Sequence, residues 1–517
     1  MVTATAALAR DEDAIHRTLL ELGRPVFVVR DSQGVALTTD ETAARAAQVL
    51  AVAPALRPET LGDAAFRTAH GVTHAYHAGA MANGIASAAL VTALANSGFL
   101  ASYGAAGVVP AKVDAALTQI RRDAPGKPFA CNVIHSPSEP ALERATVDAC
   151  LRHAVTCVEA SAFLDLTPEI VRYRLTGLTP DGRARHRIIA KVSRAEVAER
   201  FLRPAPEPLV RALLDAGEIT AEQAAAARRV PVADDITAEA DSGGHTDRRP
   251  LMVLLPELIA LRDRIQRELG YATPVRVGAA GGIGTPAAAA AAFALGAAYV
   301  VTGSINQATV EADQSDTTKR LLAAAGVADC EMTPSADMFE MGVDVQVLKR
   351  GTMFPGRAKK LYDIYRTFDG VENLPADVRA ELEERIIRRP LADVWQDCVR
   401  FFTERDPGQI ARAEGNPKRR MALIFRWYLG LSSGWSISGA PDRTADYQIW
   451  CGPAMGAFND WVAGTYLAAP AHRRAAELAT QLMRGAAFAA RVHQLRLAGV
   501  RLPAASATYV PTPGRQS

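Results

Sequence analysis

Cysteine is scarce. Six residues in 517, at positions 131, 150, 157, 330, 398 and 451, show no CxxC or other zinc-type spacing. That excludes a disulfide scaffold and a cysteine-held zinc, and a reducing compartment is expected. Excess charge of one sign is also missing. The 58 Lys and Arg stand against 56 Asp and Glu, a net +2, so no strong electrostatic footprint for nucleic acid is present. No membrane-length apolar run occurs. The longest, 287–301, is mostly alanine, is shorter than the ~20 residues a span needs, and is divided by Gly296 into a helix and a strand. The opening MVTATAALARDEDAIH has no basic start followed by an apolar stretch, so no signal peptide and a cytoplasmic location are expected. A GxSxG elbow and a Walker loop are missing as well. His74 and His77 stand three apart without a further cysteine or carboxylate to complete a metal set, and read as turn and rim histidines.

What is present is a repeated alternation. Residues 1–70 form a small accessory region in which PVFVVRDSQGVALTTD (25–40) reads as a hairpin broken at Ser32-Gln33-Gly34. Eight short Ala- and Val-rich runs follow, at 74–81, 99–106, 128–134, 156–161, 186–193, 235–241, 275–282 and 298–304. Helix-type segments separate them, some with recognisable starts such as Pro110, Ser138 and Thr285-Pro286. Apolar strands alternating with helices imply parallel pairing buried on both faces. Eight regular units favour a closed (β/α)8 TIM barrel of the α/β class over an open sheet. We expect the barrel to span 71–330 with a helical insert at about 203–233, followed by a helical appendage or lid at 331–517.

Barrel chemistry sits at the C-terminal ends of the strands, and the polar and glycine-rich residues fall there. EADSGGHTD (239–247) places His245 after the Gly243-Gly244 turn, pointing into the mouth. GGIGTP (281–286) opens a helix and Gly303-Ser304 ends the eighth strand. Glycines let a phosphate approach backbone N–H groups, and loops seven and eight are the usual barrel phosphate site. Ala80 and Met81 suit an apolar floor. Asn132 can donate and accept, matching a pyrimidine-dione edge. Lys191 either brings positive charge to the same ring or is a rim lysine paired with Glu159 or Glu239.

With GAMANG (79–84), EADSGGHTD, AAGGIG and VVTGS in this order, the chain resembles the nitronate monooxygenase-like FMN enzymes. VDVQVLKRGTMFPGRAKKLYDIY (343–365), NPKRRMALIFRWYLGLSS (416–433) and DYQIWCGPAMGAFNDW (446–461) are similar to PfaD-type trans-acting enoyl reductases of polyunsaturated fatty acid and polyketide synthases. The resemblance implies bound FMN, NADPH as hydride source, and an α,β-unsaturated thioester on an acyl carrier protein. It makes His245 the catalytic residue. It assigns the phosphate to Gly281, Gly282, Gly303 and Ser304, and the ring to Ala80, Met81, Asn132 and Lys191, with Gly243 and Gly244 also counted as cofactor-binding. A homodimer is left open. A flavin oxidase of the nitronate type and a non-catalytic flavoprotein scaffold are the alternatives. The basic clusters Lys349-Arg350, Arg357-Lys359-Lys360 and Lys418-Arg419-Arg420 would suit an acidic carrier protein. Tyr103 is the reserve proton donor.

Overall fold

The computed structural model describes residues 8–135 and 140–513. Ser138, expected to cap a helix, lies outside the described residues. The chain opens with an antiparallel sheet of β1 (Val26–Asp31), β2 (Gly34–Thr38) and β3 (Gln48–Ala53), ordered β2-β1-β3. The hairpin between β1 and β2 falls at Ser32-Gln33, with Gly34 at φ +110°.

The barrel follows. Its first six strands are β4 (Tyr76–Ala78), β5 (Leu100–Tyr103), β6 (Ala130–Ile134), β7 (Cys157–Ser161), β8 (Arg187–Val192) and β9 (Asp235–Glu239). After a two-residue strand β10 (Gly244–His245) come β11 (Arg276–Ala280) and β12 (Val300–Thr302), and β12 pairs with β4 to close the circle. All eight barrel strands fall inside the runs expected from the sequence, and all pairings are parallel.

Small residues allow this closure. A Cβ at Gly278 would stand 2.4 Å from the Tyr299 ring. That ring stacks on Phe66 at 4.2 Å, and Phe66 belongs to the helix Ala64–His70 that plugs the barrel floor. The same helix brings His70 Nε2 to 2.8 Å from Asp235 Oδ2, while Arg276 donates twice to that carboxylate at 2.6 and 2.8 Å. Burial pushes the Asp235 pKa up, but its contacts with His70 and Arg276 outweigh burial and hold it down to about 2.

Between β8 and β9 lie the helices Ala195–Leu202, Glu207–Asp215 and Ala221–Ala227. The last starts on a capping box of Thr220 and Gln223.

The helical region expected after 330 is present, but it opens on two strands that the sequence reading did not mark. The region begins with β13 (Cys330–Pro334) and β14 (Asp344–Leu348), which form an antiparallel sheet with β10 in the order β10-β14-β13. The period-two pattern of DVQVL explains the strand, and four of its five residues are buried. Helices from Phe354–Thr367 to Pro417–Ser438 then build their own apolar core around Phe339, Phe354, Leu361, Met421 and Phe425. His77, expected at the rim, is instead buried inside the barrel wall at 1% exposure.

Candidate active site at the barrel mouth

A cavity of about 620 Å3 opens over the C-terminal ends of the strands. The eleven residues nominated from the sequence all line it: His245, Ala80, Met81, Asn132, Lys191, Gly243, Gly244, Gly281, Gly282, Gly303 and Ser304. The barrel supplies the floor and walls. The roof comes from the region after 330, including Asp337, Arg426, Trp427 and Trp450.

Gly281 and Gly282 take φ of +87° and +71°, a conformation that favours glycine. A Cβ at Gly281 would meet the Ala240 carbonyl carbon at 2.6 Å, so that position is forced by packing. A Cβ at Gly282 or Gly303 would meet nothing within 4 Å. Space is therefore left open at both: Gly282 lies in the loop before the helix Pro286–Ala294, whose Thr285 cap accepts from Ala288 N, and Gly303 lies between β12 and the turn Ser304–Ala308. This open backbone at a helix N-terminus fits the phosphate of a mononucleotide such as FMN. Ser304 has a second duty: its Oγ accepts the Gly452 N–H at 3.0 Å, which leaves its own hydrogen free to donate.

Beneath the cavity lies a charged layer. Lys191 Nζ sits 3.5 Å from Glu159 Oε1 and 3.2 Å from Glu239 Oε1, so the lysine both lines the cavity and is paired with both glutamates. Burial lowers the Lys191 pKa, but the two carboxylates outweigh burial and raise it, which keeps the ammonium charged. Glu159 Oε2 accepts the Ala80 N–H at 2.9 Å and lies 3.4 Å from His77 Nε2. Burial drives the His77 pKa down to about 4, so this ring is neutral at cellular pH. Asn132 departs from expectation. Its Nδ2 donates to the Glu159 carbonyl at 3.0 Å and to Ser161 Oγ at 2.8 Å, so it offers the cavity an acceptor and no donor.

The two glycines before His245 do different things. Gly244, at φ +81°, makes the turn. Gly243 allows close approach: a Cβ there would stand 2.8 Å from Cys451 N. His245 is held by backbone pairing of β10 with β14, His245 opposite Val345. Gln346 on β14 ties the same loop through Asp241 Oδ1 and the Ser242 carbonyl, both at 2.7 Å. This sheet brings in a residue the sequence did not mark. Asp337, in the loop between β13 and β14, places Oδ1 3.3 Å from His245 Nε2 and accepts the Ser335 hydroxyl. Burial alone would lower the imidazole pKa; Asp337 outweighs it, so His245 lies above its ordinary value. Burial likewise opposes ionisation of Asp337, but His245 holds its carboxyl well below the usual range. The arrangement is a histidine–carboxylate pair facing the cavity, in which the carboxylate favours the protonated ring.

Two expectations do not hold. Tyr103 is buried, its pKa pushed up to about 12 by burial, and it does not line the cavity. Most cations of the basic clusters are paired within the chain. Arg350 pairs with Asp329, Arg357 with Asp446, Lys359 with Glu331, Lys360 with Glu381, Arg419 with Glu340 and Arg420 with Glu372. Lys418 donates to the carbonyls of Tyr365 and Phe368.

Comparison with known proteins fits this geometry. Residues 66–361 match the family model for nitronate monooxygenase, and 368–447 match that of the inserted helical domain of acyl-carrier-protein S-malonyltransferase. The second match covers the helices that supply Arg426 and Trp427, and nothing in the sequence pattern pointed to it. The chain is 48% identical over 94% of its length to one component of the polyunsaturated fatty acid synthase of Thraustochytrium, of which it spans 33%. It is 45% identical over 82% of its length to the polyketide biosynthesis protein PksE of Bacillus subtilis, of which it spans 56%. The enoyl reductase domain of MlnA from the macrolactin cluster of Bacillus amyloliquefaciens superposes with a TM-score of 0.81 at 36% identity, over 86% of this chain and 100% of that one. The chain therefore belongs to the nitronate monooxygenase family, in the group that includes the macrolactin-cluster enoyl reductase domain and the matching segments of polyunsaturated fatty acid and polyketide synthase proteins.

Proposed function

We propose that this chain is an FMN-dependent enoyl reductase. It acts in trans on α,β-unsaturated acyl thioesters carried by an acyl carrier protein, with NADPH as reductant. The observation that carries the reading is the His245–Asp337 pair facing the same cavity as the open glycine cradle. Its likeness to the macrolactin-cluster enoyl reductase domain supports the reaction class.

Gly281, Gly282 and Gly303 would hold the FMN phosphate. Ala80, Met81, Asn132 and Lys191 would hold its ring, with the Lys191 ammonium beside it as a fixed positive charge. When bound, FMN supplies the hydride, taken from NADPH, that goes to Cβ of the thioester. His245 supplies the proton. Nε2 faces Asp337, so Nδ1 is the nitrogen that can deliver to Cα as negative charge develops on the thioester. Asp337 keeps the ring charged until delivery, and solvent reloads it afterwards. Aromatic residues of the roof, Trp427 and Phe401 among them, suit the acyl chain and exclude water.

A nitronate oxidase would use the same histidine as a base and needs it neutral. The raised pKa of His245 favours the acid role. Anaerobic addition of NADPH followed by crotonyl thioester separates the readings. The expected result is bleaching of flavin absorbance by NADPH and its return with the thioester. A flavin untouched by NADPH but reduced by a nitroalkane would establish the oxidase. Inertness to both, with carrier protein still bound, would establish the scaffold.

A further inference from the structure

A second histidine–carboxylate pair lines the same cavity, and the reductase mechanism does not use it. His135, just past the end of β6, places Nδ1 3.1 Å from Oε2 of Glu143 on the helix Pro140–Arg152. Glu143 is buried to 3% side-chain exposure and also accepts the Thr167 hydroxyl on Oε1. His135 stacks on Phe163 at 5.4 Å, which fixes the ring plane. A carboxylate only accepts, so Nδ1 must carry the hydrogen. Nε2 is then the nitrogen left for the cavity, and it has no protein partner among the described residues. The ring can therefore exchange a proton with the cavity through Nε2 alone. Around the barrel, β7 and β8 separate β6 from β9, so the two pairs stand on different sides of the mouth.

We propose that the cavity also carries out a redox-neutral reaction: the 1,3-shift of a double bond in an enoyl thioester between the α,β and β,γ positions, with His135 as base and His245 as acid. The proposal rests on the enoyl-thioester reading above. From the α,β isomer, His135 Nε2 takes a proton from Cγ, and the C–H electron pair forms the Cβ=Cγ bond. The former Cα=Cβ pair moves toward the thioester carbonyl as a dienolate and then takes the His245 proton at Cα. One proton leaves the substrate and one arrives; no electrons are gained or lost. The reverse shift exchanges the roles of the carbons and of the two histidines.

The test uses oxidised, flavin-loaded protein in D2O without NADPH, given a β,γ-unsaturated pantetheine thioester and followed by proton NMR. The expected result is conversion to the α,β isomer with deuterium entering Cγ and, on return, Cα. His135→Gln should slow this by about 10²-fold or more. Glu143→Gln should slow it too, with flavin absorbance retained. Its carbonyl would keep the Thr167 contact and turn the amide N–H toward Nδ1, which inverts the tautomer and leaves Nε2 protonated. Wild-type protein that reduces crotonyl thioester but neither shifts nor exchanges would overturn the proposal and leave the reductase intact. Shift at an undiminished rate in flavin-loaded His135→Gln would also overturn it. Shift without any NADPH-dependent reduction would uphold it and overturn the reductase. Absence of both reactions would overturn both.

Discussion

Replacing Asp337 by Asn isolates what the roof contributes to the chemistry. The change keeps the shape of the side chain and the Ser335 contact but deletes the charge 3.3 Å from His245 Nε2. At that separation two unit charges attract by about 1 kcal/mol with bulk-water screening and about 5 kcal/mol at an effective dielectric of about 20. The side chains of His245 and Asp337 keep 33% and 44% of their surface exposed, which puts the pair toward the weakly coupled end. A loss of about 1.4 kcal/mol is a working figure, and it is tenfold in the population of imidazolium where the neutral ring dominates. The sign follows from the raised pKa. Below the ordinary imidazole value both proteins are protonated and the variant resembles wild type; as pH rises, the variant loses its proton first. Anaerobic stopped-flow separates the steps. NADPH reduction of the flavin should be unchanged, and its reoxidation by crotonyl thioester should fall about tenfold on the alkaline side, with the inflection moved to lower pH. His245→Ala should lose about 10²- to 10⁴-fold in reoxidation while keeping flavin. A uniform loss at every pH in Asp337→Asn would refute the reasoning, since it would mean that Asp337 only builds the loop.

Three further outcomes are expected. Gly282→Asp puts a carboxylate where a Cβ meets only open space and should yield colourless protein, whereas full flavin occupancy by absorbance would remove the cradle assignment. Arg426 donates Nε–H to the Ala336 carbonyl at 2.9 Å and Nη1–H to Glu340 at 3.3 Å, so it positions the Asp337 loop. Arg426→Leu should therefore reproduce the alkaline shift of Asp337→Asn, and Arg426→Lys should recover part of it. The His245–Asp337 attraction is fully present below the ordinary imidazole pKa and is lost as pH rises through the raised one. Amide exchange across 335–345, corrected for intrinsic rates, should accelerate above that point; a flat profile would show that the pair does not secure the roof.

The barrel was legible because each strand is a short apolar run buried on both faces, and because glycine marks the ends of strands seven and eight. Gly281 and Gly282 announce themselves by composition alone. Asp337 does not. In TPSADMF nothing distinguishes it, and its meeting with His245 depends on the register of β10 against β14, a long-range pairing that local pattern cannot reveal. The three basic clusters show the converse failure: the sequence displays the cations but not the carboxylates that fold onto them. His135 could have been found by the strand-end rule that led to Asn132, since it stands three residues further along PFACNVIH. The correction at Asn132 was out of reach, because its donors are spent on groups from the neighbouring strand, Glu159 and Ser161.

One contact far from the cavity governs the order in which the molecule can be assembled. Arg491, on the helix Ala475–Leu497, is completely buried and donates to the carbonyls of Leu19, Leu22, Arg24 and Pro54. The first of these lies 472 residues away in sequence. Closing a loop of that length costs about 5 kcal/mol of chain entropy by the logarithmic term alone. Hydrogen bonds from a charged donor contribute about 1.5–3 kcal/mol each, so the three N–H groups that Nη1 and Nη2 can direct at these carbonyls offset a cost of this size, but only once all are made. During synthesis the segments flanking the amino-terminal sheet are therefore not secured until residue 491 has been made. Until then the carbonyls of Leu19, Leu22, Arg24 and Pro54, which flank the sheet, face water. Arg491→Met should accordingly slow refolding of the first 60 residues more than that of the barrel.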